Sequence, residues 1–146
     1  MKTLTITLLS IIFGSISVFS QSENLNHSIE SNANGKPLRI VSTTTQTQQP
    51  VIRNEYTYNS NGLRESKTLY LWNEKKNDWE KRHRTQYFYN SDRQLVFTTL
   101  THWDNKKNVW SKKNISMVYN YDTAGNFLAV RHIKSEHIEA KHLANK

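Results

Sequence analysis

Residues 72–79, WNEKKNDW, and residues 103–110, WDNKKNVW, are two copies of one pattern, placed 31 residues apart. In each copy a tryptophan stands at either end of a short polar segment rich in Lys and Asn. Such a segment between strand-forming residues is typical of a β-hairpin turn. If the two tryptophans of each copy face one another across the turn, the pair of rings contributes about 0.2–1 kcal/mol and closes the end of a hairpin.

A second pattern, two tyrosines followed by Asn or Asp, alternates with the first. It reads YTYN at residues 56–59, YFYN at 87–90 and YNYD at 119–122, with spacings of 31 and 32 residues. Turn-forming residues follow each copy, and Asn61-Gly62 is the strongest of these signals because a two-residue hairpin turn needs positive φ. Periods of this length indicate stacked units of supersecondary structure rather than separate domains.

The segments between the turns are rich in β-branched and aromatic residues, and no helical apolar stripe is found between residues 37 and 134. The sequence therefore predicts an all-β fold, an antiparallel meander of about seven long strands built from a 31-residue hairpin repeat. We expect a curled sheet or an open, barrel-like one. The predicted strands are residues 37–46, 51–59, 63–72, 79–90, 94–103, 110–121 and 126–134.

Neither face of the predicted sheet is purely apolar. Regular alternation from the paired tryptophans places His83 and Tyr87 on their face, and Arg84 and Phe88 on the face of the leucines. A flat open sheet of this kind leaves aromatic rings in water, so it must curl, fold over itself or pair with another subunit. The open edge strands favour pairing.

The first 20 residues have the features of a secretory signal peptide. One charge, Lys2, precedes an apolar stretch that is shorter than the ~20 residues of a membrane span. The small Ser20 suits cleavage before Gln21. We expect a protein that is secreted or periplasmic after this cleavage, with no transmembrane segment in the mature chain.

The composition divides the chain into four parts. After the signal peptide at 1–20, residues 21–36 are rich in Ser, Asn and Glu, and we expect a disordered leader there. Residues 37–134 form the repeat-built antiparallel β domain. Residues 135–146 are expected to be a C-terminal tail that forms a short frayed helix or trails off.

The charge is basic, with 20 Lys+Arg against 12 Asp+Glu and a formal net charge of +8. The excess lies between residues 51 and 134. A basic exported protein attracts anionic partners, of which an acidic glycan fits an envelope protein and nucleic acid is not expected. The alternative is that the charge serves solubility. The absence of Cys excludes disulfides, thiolate metal sites and cysteine nucleophiles.

No group of residues has the pattern of a catalytic site. Five carboxylates fall in or beside predicted turns, where water keeps their pKa values ordinary, and none of the six histidines has the spacing of a zinc site. There is no Gly-rich loop to hold a phosphate. We expect no catalytic residues, no cofactor, no metal and no enzymatic activity. The carboxylates and histidines are Glu74, Asp78, Asp92, Asp104, Asp122, His27, His83, His102, His132, His137 and His142.

The candidate ligand-binding residues belong to the tryptophan hairpins. Trp rings beside cations stack sugars and hold anions, and a regular spacing suits a polymer. The alternative is that the same rings form the core of a chain poor in aliphatic residues. The candidates are Trp72, Trp79, Trp103, Trp110, Lys76 and Lys107.

Two functions remain open. The first is a non-catalytic structural or interaction protein of the cell envelope, whose open β surface is completed by self-association or by an envelope partner. The alternative is a glycan or anionic-polymer binding module that uses Trp and Tyr with Lys and Arg on the sheet.

The signal peptide, the Tyr-x-Tyr-Asn/Asp turn and the Trp-flanked turn, the last two each repeated, resemble the domain-of-unknown-function 3836 family of small secreted proteins from Bacteroidetes. The resemblance covers roughly residues 37–134. It implies an exported, mainly antiparallel β protein, and it provides no activity, cofactor or catalytic residue to carry over.

A looser likeness concerns residues 121–126, YDTAGN, which are similar to the Tyr-Asp repeat of large bacterial surface shells. Within them, Asp122-Thr123-Ala124 resembles an extracytoplasmic O-glycosylation signal with Thr123 as acceptor. The alternative interpretation is an ordinary turn, since Asp and Thr are turn residues.

Overall fold

The computed structural model describes residues 24–135, which form eight β-strands in a single antiparallel sheet. The strands lie in sequence order across the sheet, so β1 and β8 are its two edges and the sheet is not closed. The bounds are β1 (Leu25–Ser31), β2 (Pro37–Thr44), β3 (Pro50–Tyr58), β4 (Arg64–Asn73), β5 (Asp78–Tyr89), β6 (Leu95–Asp104), β7 (Val109–Tyr121) and β8 (Phe127–Ser135). The predicted all-β meander is confirmed, in its open form.

The seven predicted strands correspond to β2–β8, and β1 is an additional strand. The prediction of a disordered leader was wrong for Leu25–Ser31, because Ile29 pairs with Ile40 and His27 bonds to Ser42 at 3.0 Å. The predicted signal peptide and the tail beyond residue 135 lie outside the described residues. Among residues 24–135, no helix is long and apolar enough to cross a membrane.

Four turns of one design lie at one end of the strands, which we call the Asx end. Each begins with Asn or Asp, whose side chain accepts backbone N–H bonds. Asn59 Oδ1 accepts from Asn61 at 3.0 Å and from Leu63 at 2.9 Å. The fourth residue has positive φ, which favours glycine. The turns span residues 32–36, 59–63, 90–94 and 122–126, with φ of 72° at Gly35, 70° at Gly62, 64° at Arg93 and 83° at Gly125.

The same design explains residues 122–126. Asp122 Oδ1 accepts from the backbone of Ala124 at 2.9 Å and of Asn126 at 2.8 Å. The bond from the Asn126 side chain, followed by the one from its backbone, lowers the pKa of the Asp122 carboxyl, so the expected ordinary pKa was wrong for this turn residue. Asp122 thus has the role that Asn has in the other three turns, and Thr123 is exposed beside it. Glycosylation of Thr123 stays a prediction.

The second tyrosine of each Tyr-x-Tyr motif stands just before an Asx-end turn and links the hairpin of that turn to the preceding hairpin of the Asx end. Its hydroxyl donates to a backbone carbonyl near the start of the neighbouring strand. The three bonds are 2.8 Å from Tyr58 to Pro37, 2.9 Å from Tyr89 to Arg64 and 3.0 Å from Tyr121 to Leu95. The motif therefore repeats because each copy makes the same contact between hairpins.

Side chains also join the turns themselves. Lys36 donates to the Gly62 carbonyl, Arg93 donates to the Asn61 carbonyl at 3.2 Å, and Gln94 donates to the Gly125 carbonyl at 2.9 Å. The Asx end is consequently a continuous row of hydrogen bonds from the first turn to the last.

The sheet has little closed core. Phe97 is the only apolar side chain among the described residues that is buried. The other buried side chains are small and polar, namely Ser42, Thr98, Thr99, Thr101 and Ser116. Most side chains on both faces are half-buried, so both faces remain available for contact.

A β-bulge sets which residues share a face. The register of β4 and β5 shifts between Leu69, which pairs with His83, and Tyr70, which pairs with Lys81. The predicted faces were wrong beyond this point, because Arg82 is an extra residue that reverses the alternation. His83 and Tyr87 lie on the face of Leu69, and Arg84 and Phe88 on the face of the tryptophans. We call these the tyrosine face and the tryptophan face.

We expect Tyr89→Phe to lower the free energy of unfolding by about 1 kcal/mol, since it deletes only the hydroxyl that bonds to the Arg64 carbonyl. Tyr119→Phe is the matched control, because that hydroxyl contacts only the Met117 sulfur at 4.0 Å. Urea unfolding followed by circular dichroism measures both. Equal losses in the two variants would contradict a bridging role for Tyr89.

Candidate functional site

The tryptophan hairpins form as predicted. Trp72 pairs with Trp79 and Trp103 pairs with Trp110 across their turns. The ring centroids are 5.2 Å apart at an interplanar angle of 71° in the first pair, and 4.9 Å apart at 74° in the second. This edge-to-face geometry is favourable for aromatic rings. All four rings are half-buried, so each contributes to packing and still presents a surface to solvent.

The turns between the tryptophans have four residues each, 74–77 and 105–108. Their last residues, Asn77 and Asn108, have φ of 52° and 55°. Asn tolerates this left-handed conformation better than most residues, which explains why both copies end in Asn. The end of the sheet that carries these turns is called the Trp end.

Cations cover the tryptophan rings from the neighbouring strands. Lys81 Nζ lies 4.3 Å from the ring centroid of Trp103, and the Arg84 guanidinium lies 4.7 Å from that of Trp110. Since Lys81 and Arg84 belong to β5 and the rings to β6 and β7, these contacts connect the two tryptophan hairpins. A cation–π contact contributes about 0.5–1 kcal/mol at an exposed site.

The arrangement continues onto β3 through Arg53. Its guanidinium lies 4.1 Å from the ring centroid of Tyr70 and 5.0 Å from that of Trp79. Arg53 also pairs with Glu55 at 3.3 Å, and Tyr70 donates to Glu55 at 2.8 Å. Burial, followed by the bond to Glu55, raises the pKa of Tyr70.

An ion-pair chain extends this face to the edge of the sheet. Arg39 lies 3.4 Å from Glu55 and 2.9 Å from Glu30 on β1. The carboxylates of the tryptophan face are thus concentrated on β1 and β3, while the cations over the indoles of β6 and β7 have no acidic partner among the described residues. On β1, β2 and β3 the tryptophan face therefore carries carboxylates paired with cations, whereas the side chains over Trp103 and Trp110 are cations without an acidic partner among the described residues.

The two candidate lysines lie apart from the indoles. Lys76 Nζ is 2.7 Å from Glu80, whose strand partner is Leu71 on the tyrosine face. Bonds from Lys76 and Asn73 lower the pKa of the Glu80 carboxyl. Lys107 Nζ is 4.0 Å from Asp104.

The structure therefore surrounds the tryptophans with Lys81, Arg84 and Arg53 instead of the turn lysines. Lys81 and Arg84 are visible in the sequence as part of a basic run, but Arg53 has no sequence signal. It becomes recognisable only from the pairing of Arg53 with Tyr70.

The tyrosine face carries a second cluster of cations. Arg64 lies 4.8 Å from the ring centroid of Tyr56 and 5.8 Å from that of Tyr87. Lys67 pairs with Tyr56, and burial followed by repulsion from Arg64 lowers its pKa. Burial, then repulsion from His102 and Lys67, lowers the pKa of His83.

A depression of about 340 Å³ lies near the Asx end. Its lining includes Tyr87, Tyr89 and Asn90, and Glu65 is the one carboxylate in it. This lining has no histidine and no second carboxylate beside Glu65. Among residues 24–135 there is also no group of three or more side chains that could hold a metal ion.

The sequence matches the model of a family of unknown function, DUF3836, over residues 1–121. A search of curated proteins finds no match. The fold is similar to the crystal structure of a DUF3836 family protein from Bacteroides vulgatus ATCC 8482, with 18% identity, a TM-score of 0.54, and coverage of 76% of this chain and 99% of that chain.

Two further crystal structures are similar. A DUF3836 family protein from Parabacteroides distasonis ATCC 8503 is 20% identical, with a TM-score of 0.53 and coverage of 75% of this chain and 87% of that one. A protein with unknown function from Bacteroides fragilis NCTC 9343 is 20% identical, with a TM-score of 0.62 and coverage of 84% and 86%. The resemblance seen in the tyrosine and tryptophan motifs is confirmed: this chain belongs to the DUF3836 family.

Proposed function

We propose that this chain is an exported, non-catalytic interaction protein of a bacterial cell envelope, and that a partner completes its open sheet. The observation that supports this most directly is a single sheet in which Phe97 is the only buried apolar side chain of residues 24–135. A sheet with two half-buried faces and two free edges presents far more binding surface than a closed domain of this size. Export rests on the signal-peptide features of residues 1–20.

The edge strand β8 favours a second copy of the chain as that partner. Its first half is uncharged and exposed, at 55% for Phe127, 62% for Leu128 and 39% for Val130. At the other edge, Ile29 of β1 is 61% exposed. Long apolar edge strands with free N–H and C=O groups are sites of strand addition.

The topology allows this pairing without any change of fold. Neighbouring strands alternate in direction, so β1 and β8 run antiparallel to one another. A second copy in the same orientation can therefore place its β1 antiparallel to β8 and continue the meander.

We expect the exported chain to sediment as dimers or larger species at micromolar concentration, and Val130→Lys to shift it to monomer because a charge at the edge opposes strand addition. Val109→Lys is the control, since Val109 is 50% exposed but lies beside the Trp-end turn and not on an edge strand. Sedimentation velocity makes the measurement. A wild-type chain that stays monomeric contradicts self-association.

A second candidate function, binding of an acidic glycan on the tryptophan face, is favoured by the half-exposed indoles with cations above them. Indole faces stack on sugar rings, and ammonium and guanidinium groups pair with carboxylate or sulfate. Lys81 and Arg84 have no acidic partner among the described residues, so their charge is available to such a ligand.

We expect an acidic polysaccharide to change the tryptophan fluorescence, and salt to weaken the effect. Lys81→Met should weaken binding several-fold because it removes a cation from the ring of Trp103, whereas Lys107→Met, at the exposed turn, should weaken it less. Fluorescence titration compares the two. No spectral change across a panel of acidic polysaccharides would exclude this candidate.

A further inference from the structure

Two basic side chains of the tyrosine face, Lys67 and His83, lie on successive rungs of that face, with one rung of the opposite face between them. Arg64 pairs with Tyr58 beyond a β-bulge and reaches this face through its contacts with the rings of Tyr56 and Tyr87. On one rung Tyr56, Lys67 and Thr85 are paired across β3, β4 and β5. On the next rung of the same face Leu69 pairs with His83, whose ring centroid is 6.1 Å from that of His102. No bulge separates these rungs in β3–β4 or β4–β5, so their side chains lie on one face.

No carboxylate among the described residues forms an ion pair with the two permanent cations of this face. Neither Arg64 nor Lys67 forms an ion pair with any residue from 24 to 135. Both are half-buried, and burial followed by repulsion from Arg64 lowers the pKa of Lys67, whereas Tyr87 and Tyr56 raise the pKa of Arg64 against its burial. An anion that pairs with Lys67 offsets the cost of burying its charge, and a half-buried ammonium without an acidic partner is therefore a favourable place for one.

We propose that the tyrosine face holds a binding site for a phosphate or sulfate ester carried on a sugar, with Arg64, Lys67 and His83 as the anion-binding groups. The site is on the face opposite to the tryptophans, so it does not rest on the proposed function. The anion would lie over Thr85, between the ammonium of Lys67 and the imidazole of His83.

Two further observations indicate a sugar rather than a free ion. Asn54, on the same rung as Leu69, has a buried Oδ1 without a hydrogen-bond partner, and an acceptor of this kind is satisfied by a ligand hydroxyl. The rings of Tyr56 and Tyr87 flank Arg64 and provide apolar surface for a pyranose. Arg64 Nε is likewise buried without a partner and can donate to a ligand oxygen.

The site makes binding depend on pH. In the free protein, burial and the charges of His102 and Lys67 lower the pKa of His83, with Arg64 adjoining Lys67 on the same face. A bound anion favours protonated His83 and so raises this pKa, and by linkage the affinity for an anion of fixed charge such as a sulfate ester increases as the pH falls from the pKa of the complex to that of the free protein. The Tyr56 phenol stays neutral across this range, since burial raises its pKa.

The experiment titrates the full chain with four probes: glucosamine 6-sulfate, glucose 6-phosphate, inorganic sulfate and neutral glucose, while NMR follows the imidazole of His83. We expect both ester sugars to raise the pKa of His83 and to bind more tightly than inorganic sulfate, and glucose to have no effect. Failure of both ester sugars to move the His83 resonance overturns the site. Equal affinity for inorganic sulfate overturns the sugar assignment.

Variants test the named residues. Lys67→Met should weaken binding of glucosamine 6-sulfate about tenfold or more, because a charge-assisted hydrogen bond is lost. Lys67→Arg should retain most of it, which separates loss of charge from loss of fold. Lys75→Met, on the exposed Trp-end turn, is the matched control and should bind as the wild type does. A Lys67→Met protein that is folded and binds normally contradicts the proposal.

Discussion

A single open sheet has no closed core, so it depends on the backbone ladder between its strands and on side chains that reach from one hairpin to the next. In this protein the phenol of Tyr89, bonded to the Arg64 carbonyl, is the clearest example of such a connection. Tyr58 and Tyr121 make the equivalent bonds. At the opposite end of the strands, Lys81 and Arg84 bind across to the indoles of the following hairpin. The tyrosine bonds join successive hairpins of the Asx end, and the contacts of Lys81 and Arg84 join the two tryptophan hairpins.

The sequence motifs predicted this organisation because each motif makes one contact that recurs with the period of the repeat. The tryptophan pairs and strands β2–β8 could be located in this way. Strand β1 could not, since it has Ser31 where the other hairpins have the second tyrosine, and only the turn signal of Asn32 and Gly35 marks it. A repeat identified from aromatic residues misses a copy that lacks them.

The distribution of charge over the two faces could not be predicted for a different reason. The bulge at Leu69 and Tyr70 adds one residue to β5, and one residue is enough to exchange the faces of everything after it. Arg84 consequently meets Trp110, and His83 meets His102. No residue type announces a bulge here, so the sequence alone places these side chains on the wrong sides.

Because each strand contacts only its neighbours in the chain, the sheet behaves as a one-dimensional array. The free energy needed to open a strand therefore increases from both edges of the sheet toward β4, β5 and β6. We expect the backbone amides of the outermost strands to exchange with solvent through local openings that leave the central strands intact. The β8 edge, one of the two outermost strands, also carries the exposed apolar side chains of Phe127, Leu128 and Val130. The residues exposed for contact with a partner are thus the residues that the array holds from one side only.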